Sequence, residues 1–141
     1  MALPKAGYVA KPYISIGCWR DTGTRAIPTL EGKDKRLDGS YTSRTEAIEK
    51  CYQVAKSRGF RIFAVQNGGW CAGSAYAYRT YRKYGASASC KKDGEGGAWA
   101  NEVYLISGIV VFCLDLENRI FFLVPFIPHA YNEFICIINK S

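Results

Sequence analysis

The clearest pattern of hydrophobic and polar positions lies in the middle of the chain, over residues 61–71. Residues 62–65 are apolar without interruption, so a strand here places apolar side chains on both faces and needs burial on both. Residues 67–69, Asn-Gly-Gly, follow at once and favour the positive φ angles of a tight turn. The pattern predicts a central strand and a sharp turn, after which the chain continues at Trp70 and Cys71.

The apolar spacing becomes helical just before this strand. Ser43 and Glu46 have the spacing of a capping box, in which each side chain bonds a free backbone N–H of the first helical turn. Arg58 suits the last turn, and Gly59 is a natural residue just past it. We therefore predict a helix between Ser43 and Gly59 that packs on the central strand through an apolar stripe. The stripe comprises Ala47, Ile48, Cys51, Val54 and Ala55.

Two further segments have strand patterns. Residues 13–19 alternate apolar and small side chains and predict a first strand. Residues 99–106 predict a closing strand that pairs with the first strand or with the central one. Residues 20–41 are rich in turn formers and indicate a long ordered loop, with at most a short strand near 26–27.

The composition changes after residue 106. The apolar runs 109–114 and 120–128 are separated by charged residues, and neither reaches the roughly 20 residues that span a bilayer. We therefore predict no transmembrane segment. We expect a polar lead-in over 1–13, a module over 14–106 and an apolar tail over 107–141. The tail is expected either to add a strand pair or to be a non-native extension of the module.

The six cysteines favour a disulfide framework, since no two have the C-x-x-C spacing of a zinc or redox site and the single histidine, His129, is remote. We predict no metal site and no cofactor. Disulfides imply an extracellular or cell-surface location, yet the first eleven residues contain no secretory signal. Either the chain is a fragment of a larger secreted protein, which we expect, or the extracellular location is wrong. The cysteines are Cys18, Cys51, Cys71, Cys90, Cys113 and Cys136.

Residues 73–84 interleave tyrosines with cations and fit either a short helix or a loop. Sugar sites need a flat aromatic face together with amides or carboxylates for the hydroxyl groups. Trp19 and Trp99 are interpreted instead as core residues. The predicted ligand-binding residues are Trp70, Tyr76, Tyr78, Arg79, Tyr81, Gln66 and Asn67.

Charge adds little to this picture. A formal net charge of +7 attracts polyanions through its long-range field, but a soluble basic surface explains it equally simply. Stacking on the same aromatic residues would also suit single-stranded nucleic acid, which the extracellular setting disfavours. Acids beside glycines at 34–39 and 93–95 lack the spacing of a calcium loop, so we interpret them as solvated turns.

Catalysis is not expected. A nucleophilic cysteine needs a neighbouring base, and the only histidine lies in the tail. The acids fall in loops or on the exposed helix face rather than as a pair facing one cleft. No catalytic residue is therefore proposed from the sequence.

Six short motifs follow one another over about residues 14–106: Gly17-Cys18-Trp19-Arg20-Asp21, Arg25-Ala26, the helix with Cys51, Gly59-Phe60 before Phe63-Ala64, Gly69 before Cys71, and Gly96-Gly97 with Asn101 and Val103-Tyr104. In this order and spacing they resemble the WSC domain, a small cysteine-rich extracellular module. The resemblance is closer to a four-cysteine, WSC-like module of multidomain animal proteins. It implies a small, disulfide-stabilised α+β domain, in which one main helix packs on a short antiparallel sheet, and a carbohydrate-binding role.

Two further cysteines of the WSC pattern are replaced here by Ala55 and Gly73. Their joint absence implies that they pair with each other. The resemblance thus favours a Cys51–Cys71 bridge and leaves Cys18–Cys90, although four cysteines allow three pairings.

We therefore expect a non-catalytic extracellular module that binds a glycan or another extracellular ligand. The alternative is a structural or adhesion spacer that contacts neighbouring domains of a larger secreted or cell-surface protein.

Overall fold

The strands and the main helix predicted from the sequence assemble into an α+β unit with two disulfides. The computed structural model describes residues 11–107 and the backbone of three later strands. The chain divides into two compact units, of which Tyr13–Ile106 is one. The other combines Met1–Pro12 with Ser107–Ser141.

The Tyr13–Ile106 unit contains a four-stranded antiparallel sheet in the order β1-β4-β2-β3. The closing strand β4 lies between the first and the central strand, so it pairs with both of the partners that the sequence left open. The strand β3 was not predicted because its four residues are too short for a clear pattern. The elements are β1 (Tyr13–Arg20), α1 (Ala47–Ser57), β2 (Ile62–Gln66), β3 (Trp70–Gly73), α2 (Ala77–Thr80) and β4 (Ala100–Ile106).

In the second unit the described backbone forms three strands. Strand β5 (Val111–Leu114) pairs in antiparallel fashion with β6 (Ile120–Val124) and β7 (Ile135–Ile137). The side chains of Cys113 and Cys136 and the rest of the tail lie outside the described residues. The expectation for residues 107–141 therefore stays a prediction.

The central strand is buried along its whole length, as its apolar run predicted. Asn67 and Gly68 have φ angles of 49° and 92°, which confirms the tight turn between β2 and β3. Gly69 does not share this conformation and is needed for another reason. A Cβ there would overlap the carbonyl oxygen of Tyr41 and lie 3.3 Å from the Cβ of Ala47.

The predicted capping box is wrong, because α1 begins at Ala47 and Glu46 has a left-handed φ of 51°. Ser43 belongs to a 3₁₀ turn, and its hydroxyl lies 3.5 Å from the carbonyl oxygen of Ser40. The cause is the buried Arg44, whose guanidinium donates to the Gly69 carbonyl at 2.6 Å and to both oxygens of the Glu31 carboxylate. Holding Arg44 in this position takes precedence over an earlier helix start.

The predicted helix end is confirmed. Gly59 has a φ of 74°, and its N–H donates to the Lys56 carbonyl while the Phe60 N–H donates to that of Ala55, both at 3.0 Å. This pair of bonds is the Schellman motif, which satisfies the last carbonyls of a helix. The predicted stripe is buried apart from Ile48, and Tyr52, which the pattern missed, is buried with it.

The sheet separates two apolar clusters. On the α1 side, the rings of Phe63 and Tyr104 stack at 5.0 Å within a cluster that also contains the Cys51–Cys71 bridge. On the α2 side, Trp70 and Ala77 pack with the partly buried Trp19 and Tyr81.

Both disulfides join the cysteines that the resemblance favoured. Cys51 and Cys71 link α1 to β3, and Cys18 and Cys90 link β1 to the loop that precedes β4. The loop over 20–41 is ordered as expected, but no strand forms at 26–27. The chain pairs instead with β3 two residues later, at Thr29 opposite Ala72.

Replacing Gly69 by alanine is expected to lower the free energy of unfolding by about 1–3 kcal/mol, since the new methyl group has no room beneath the Tyr41 carbonyl. Urea denaturation measures the difference. Gly23 is the matched control, because a Cβ there meets nothing within 4 Å. Equal losses in the two variants would contradict the role assigned to Gly69.

Candidate ligand-binding cleft

An open cleft of about 580 Å³ lies at the end of the sheet where β1 finishes and β4 begins. We call it the Trp99 cleft. It is lined by Arg20, Asp21, Thr22, Tyr84, Ser87, Ala88, Ser89, Ala98 and Trp99.

One wall of the cleft, residues 85–90, is fastened to the outer edge of β1. The Arg20 N–H donates to the Gly85 carbonyl and the Ser87 N–H donates to the Cys18 carbonyl, each at 3.0 Å. The Cys18–Cys90 disulfide closes the same connection covalently. The wall therefore covers an otherwise unpaired strand edge and keeps Ser87 and Ser89 at the cleft.

The opposite side is formed by Trp99, whose side chain is 55% exposed. The expectation that Trp99 fills the core is wrong. It lies in a two-residue turn between Gly97 and Ala100 with a φ of 52°, and this conformation directs the residue away from the sheet. Trp19 is partly buried against the second apolar cluster, as expected of a core residue.

The Arg25 guanidinium packs against the exposed indole of Trp99. Its guanidinium carbon lies 4.9 Å from the centre of the Trp99 ring and 4.2 Å from that of Trp70. Cations on aromatic faces are stabilised by the ring quadrupole, and guanidinium also stacks on flat rings. The three side chains form a layer that fixes the orientation of Trp99.

Asp21 anchors this layer from inside the protein. One carboxylate oxygen accepts the Ala26 N–H at 2.9 Å, and the other accepts Arg25 Nη1 at 2.9 Å and Gln66 Nε2 at 2.8 Å. Burial alone would raise the pKa of Asp21, but these hydrogen bonds outweigh it and hold the pKa below its ordinary value. The carboxylate is therefore ionised and fully engaged by its own neighbours.

The network continues into the sheet through two buried amides. Gln66 Nε2 also donates to Asn101 Oδ1 at 2.8 Å, and the two residues are register partners on β2 and β4. Asn101 is wholly buried, and its Nδ2 has no hydrogen-bond partner within the described part of the chain. Through these hydrogen bonds, the two amides connect Asp21 and Arg25 to strands β2 and β4.

The structure separates the ligand-binding residues predicted from the sequence. Trp70 is 9% exposed with Arg25 over its ring, and Gln66 is buried in the Asp21 network. Both therefore contact residues that hold the cleft but do not line it. Tyr81 packs the edge of its ring against Trp19 at 5.3 Å. The remaining four, Asn67, Tyr76, Tyr78 and Arg79, are exposed but do not line the cleft.

Sequence reasoning missed Asp21, Arg25 and the exposure of Trp99. Asp21 and Arg25 lie four residues apart in a loop. This spacing brings two side chains together in a helix, but in a loop it predicts no contact. The available signal was their place in the WSC-like motifs, which marks the positions without giving them a role.

The described residues do not provide a ready metal site. In residues 11–107, the one group of three metal-ligating side chains close enough to share an ion is Cys18, Cys90 and Glu102. The two sulfurs are bonded to each other and are not thiolates, which are the form that binds metal. Asp34 bonds to the side chain and backbone of Arg36, and these bonds hold its pKa well below its ordinary value.

Comparison with protein-family models, with curated proteins and with solved structures gives no match for this chain. Among the described residues, no helix is long and apolar enough to cross a membrane.

Proposed function

We propose that the Tyr13–Ile106 unit is a non-catalytic extracellular module that binds carbohydrate in the Trp99 cleft. The observation that carries this proposal is the exposed indole of Trp99, which lies at an open cleft with the Arg25 guanidinium over its ring. A flat aromatic face of this kind stacks on the apolar face of a pyranose ring, while hydroxyl and charged groups nearby bond its hydroxyls. Ser87, Ser89 and Arg20 are such groups.

The preorganisation of the site supports binding. Trp99 is fixed by Arg25, which is itself held by the Asp21 carboxylate. A side chain that is ordered before the ligand arrives loses less entropy on binding, and affinity rises accordingly. The two disulfides support an oxidising, extracellular setting, in which glycans are abundant ligands.

The spacer function is less well supported by the geometry. Tyr13 and Ile106 are paired residues on the adjacent strands β1 and β4, so the two ends of the unit lie roughly 5 Å apart. A unit with its ends side by side adds almost no length between the segments that flank it. Contact with neighbouring domains would instead use an exposed surface such as the Trp99 cleft.

Trp99→Ala is expected to reduce retention on an immobilised glycan panel by at least about tenfold, because the stacking face is lost. The panel is screened first with the unaltered protein to select the glycans it retains. Tyr76→Ala is the control, since Tyr76 is 67% exposed but lies outside the cleft lining.

Circular dichroism and the urea midpoint show whether each variant stays folded. Loss of retention in Tyr76→Ala with full retention in Trp99→Ala would move the site to the segment around α2. No retention of the unaltered protein on any glycan would overturn the proposed function.

A further inference from the structure

We infer that the Trp99 cleft selects an acidic saccharide, one that carries carboxylate or sulfate groups, over a neutral one. This inference rests on the proposed function and concerns the same site. It follows from the imbalance between the hydrogen-bond donors and acceptors that the cleft presents, and from the distribution of charge around it.

Arg20 and Ser87 supply free donors at the cleft, and the Arg20 guanidinium cannot accept hydrogen bonds. Arg20 is exposed, and its Nε donates to the Ala86 carbonyl at 3.1 Å, which holds the guanidinium along the wall. Within residues 11–107, its two terminal nitrogens have no hydrogen-bond partner. Ser87 Oγ accepts the Ser89 N–H at 3.1 Å, which leaves the Ser87 hydroxyl proton as a further donor.

The acid that lines the cleft cannot balance these donors. The side chain of Asp21 is buried, and both of its oxygens already accept hydrogen bonds from Ala26, Arg25 and Gln66. A neutral sugar presents hydroxyls that need acceptors as well as donors, whereas a carboxylate or sulfate needs donors alone. The cleft is therefore better matched to an anionic group.

The charged residues in the sequence around the cleft wall are positive, like Arg20. Residues 70–92 carry no Asp or Glu, and the five cations there flank the cleft wall, residues 85–90, in the sequence. Three tyrosines of this segment have a cation over the ring, at 4.9–5.3 Å from its centre, and one of these is Tyr84 of the cleft lining. The cations are Arg79, Arg82, Lys83, Lys91 and Lys92.

The acids that follow this segment face the other side of the sheet. The turn at Asp93–Glu95 is bound there by the Tyr104 hydroxyl, which donates to the Gly94 carbonyl at 2.6 Å. A Cβ on Gly94 would lie 3.1 Å from the side chain of Ile48 on α1. The carboxylates of Asp93 and Glu95 are not among the groups that line the cleft.

The test uses probes that share a backbone and differ in charge. Polygalacturonate is compared with its methyl ester, and dextran sulfate with dextran, on immobilised supports at about 0.15 M salt. We expect retention on each acidic member to exceed that on its neutral partner by about tenfold or more. Arg20→Gln should reduce the acidic binding about five- to tenfold, and Trp99→Ala should reduce it as well.

Arg61→Gln is the matched control, because it removes the same charge from an exposed residue at the far end of β2, roughly 16 Å along the strand from Gln66. It should reduce acidic binding by no more than about twofold. Equal losses in Arg20→Gln and Arg61→Gln, with Trp99→Ala unchanged, would indicate general ion exchange and overturn the inference.

Equal retention on acidic and neutral members, still dependent on Trp99, would overturn the selectivity but keep carbohydrate binding. No retention on any of the four polysaccharides or on the wider glycan panel would overturn both. A single-stranded oligonucleotide is included as a competitor. Tighter binding of the oligonucleotide than of either acidic polysaccharide would replace the saccharide by a nucleic acid and contradict the inference.

Discussion

Asp21→Ala is expected to lower the free energy of unfolding by about 2–4 kcal/mol, because it removes a buried carboxylate that accepts three hydrogen bonds. The substitution leaves the Arg25 guanidinium, the Gln66 amide and the Ala26 N–H without their shared acceptor. Urea denaturation should show the loss as a lower midpoint concentration of urea. The slope of the unfolding free energy against urea concentration should stay unchanged. Asp38→Ala, which removes an exposed carboxylate from the same loop, should change the free energy by less than about 0.5 kcal/mol.

The effect of Asp21 should also depend on pH with a definite sign. Because the pKa of Asp21 is lowered in the folded protein, the unfolded chain binds a proton more readily than the folded one. The stabilisation is therefore complete above the ordinary carboxyl pKa of 3.8 and is lost as the pH falls through the lower, folded value. The difference between the unaltered protein and Asp21→Ala should shrink below about pH 4. A difference that stays constant from pH 7 to pH 2.5 would contradict the assignment.

Removing the Cys18–Cys90 bridge by the double substitution to alanine should lower the free energy of unfolding by about 4 kcal/mol. The bridge joins residues 72 apart in sequence, and cross-linking so long a loop removes much of the entropy of the unfolded chain. It also fastens the cleft wall, so saccharide binding should fall along with stability. Denaturation and glycan retention are measured on the same samples.

A mild reductant distinguishes this bridge from the other one. Cys18 and Cys90 are partly exposed, whereas Cys51 and Cys71 are wholly buried. Brief treatment with dithiothreitol under native conditions, followed by alkylation and peptide mass spectrometry, should therefore label Cys18 and Cys90 first. Labelling of Cys51 and Cys71 first would contradict the exposures. Native glycan retention after selective reduction would show that the wall does not depend on the bridge.

The parts of the fold that the sequence predicted well are those decided by local physics. The run of apolar residues in β2 requires burial on both faces wherever it is placed, and Gly59 can end a helix in a conformation that other residues avoid. The predicted start of α1 was wrong for the opposite reason, because a contact distant in sequence decides it. Ser43 and Glu46 have a suitable spacing, but the ion pair of Arg44 with Glu31, distant in sequence, fixes the backbone before Ala47.

The candidate site was less predictable because it is assembled from separate parts of the chain. Asp21 and Arg25 meet Gln66 and Trp70 only after the sheet has formed, and no short motif shows this arrangement. Trp99 was misplaced through an error of one position. The strand was predicted to begin at Trp99, which would have put it in the sheet, whereas the strand begins at Ala100 and Trp99 belongs to the turn.

The pairing of Tyr13 with Ile106 also determines how the unit responds to tension. If neighbouring segments pull on its two ends, the hydrogen bonds between β1 and β4 break one residue pair at a time, starting at Tyr13 and Ile106. Each step needs little force. The opening reaches Cys18 after a few pairs, and from there the covalent bond to Cys90 carries the load. Residues 13–17 and 91–106, which include β4 with Asn101, can be drawn out, while the chain between Cys18 and Cys90, with α1, Asp21 and Gln66, stays unstretched. The bridge therefore shields Asp21, Arg25 and Gln66 from the load, but not Trp99 and Asn101, which lie beyond Cys90.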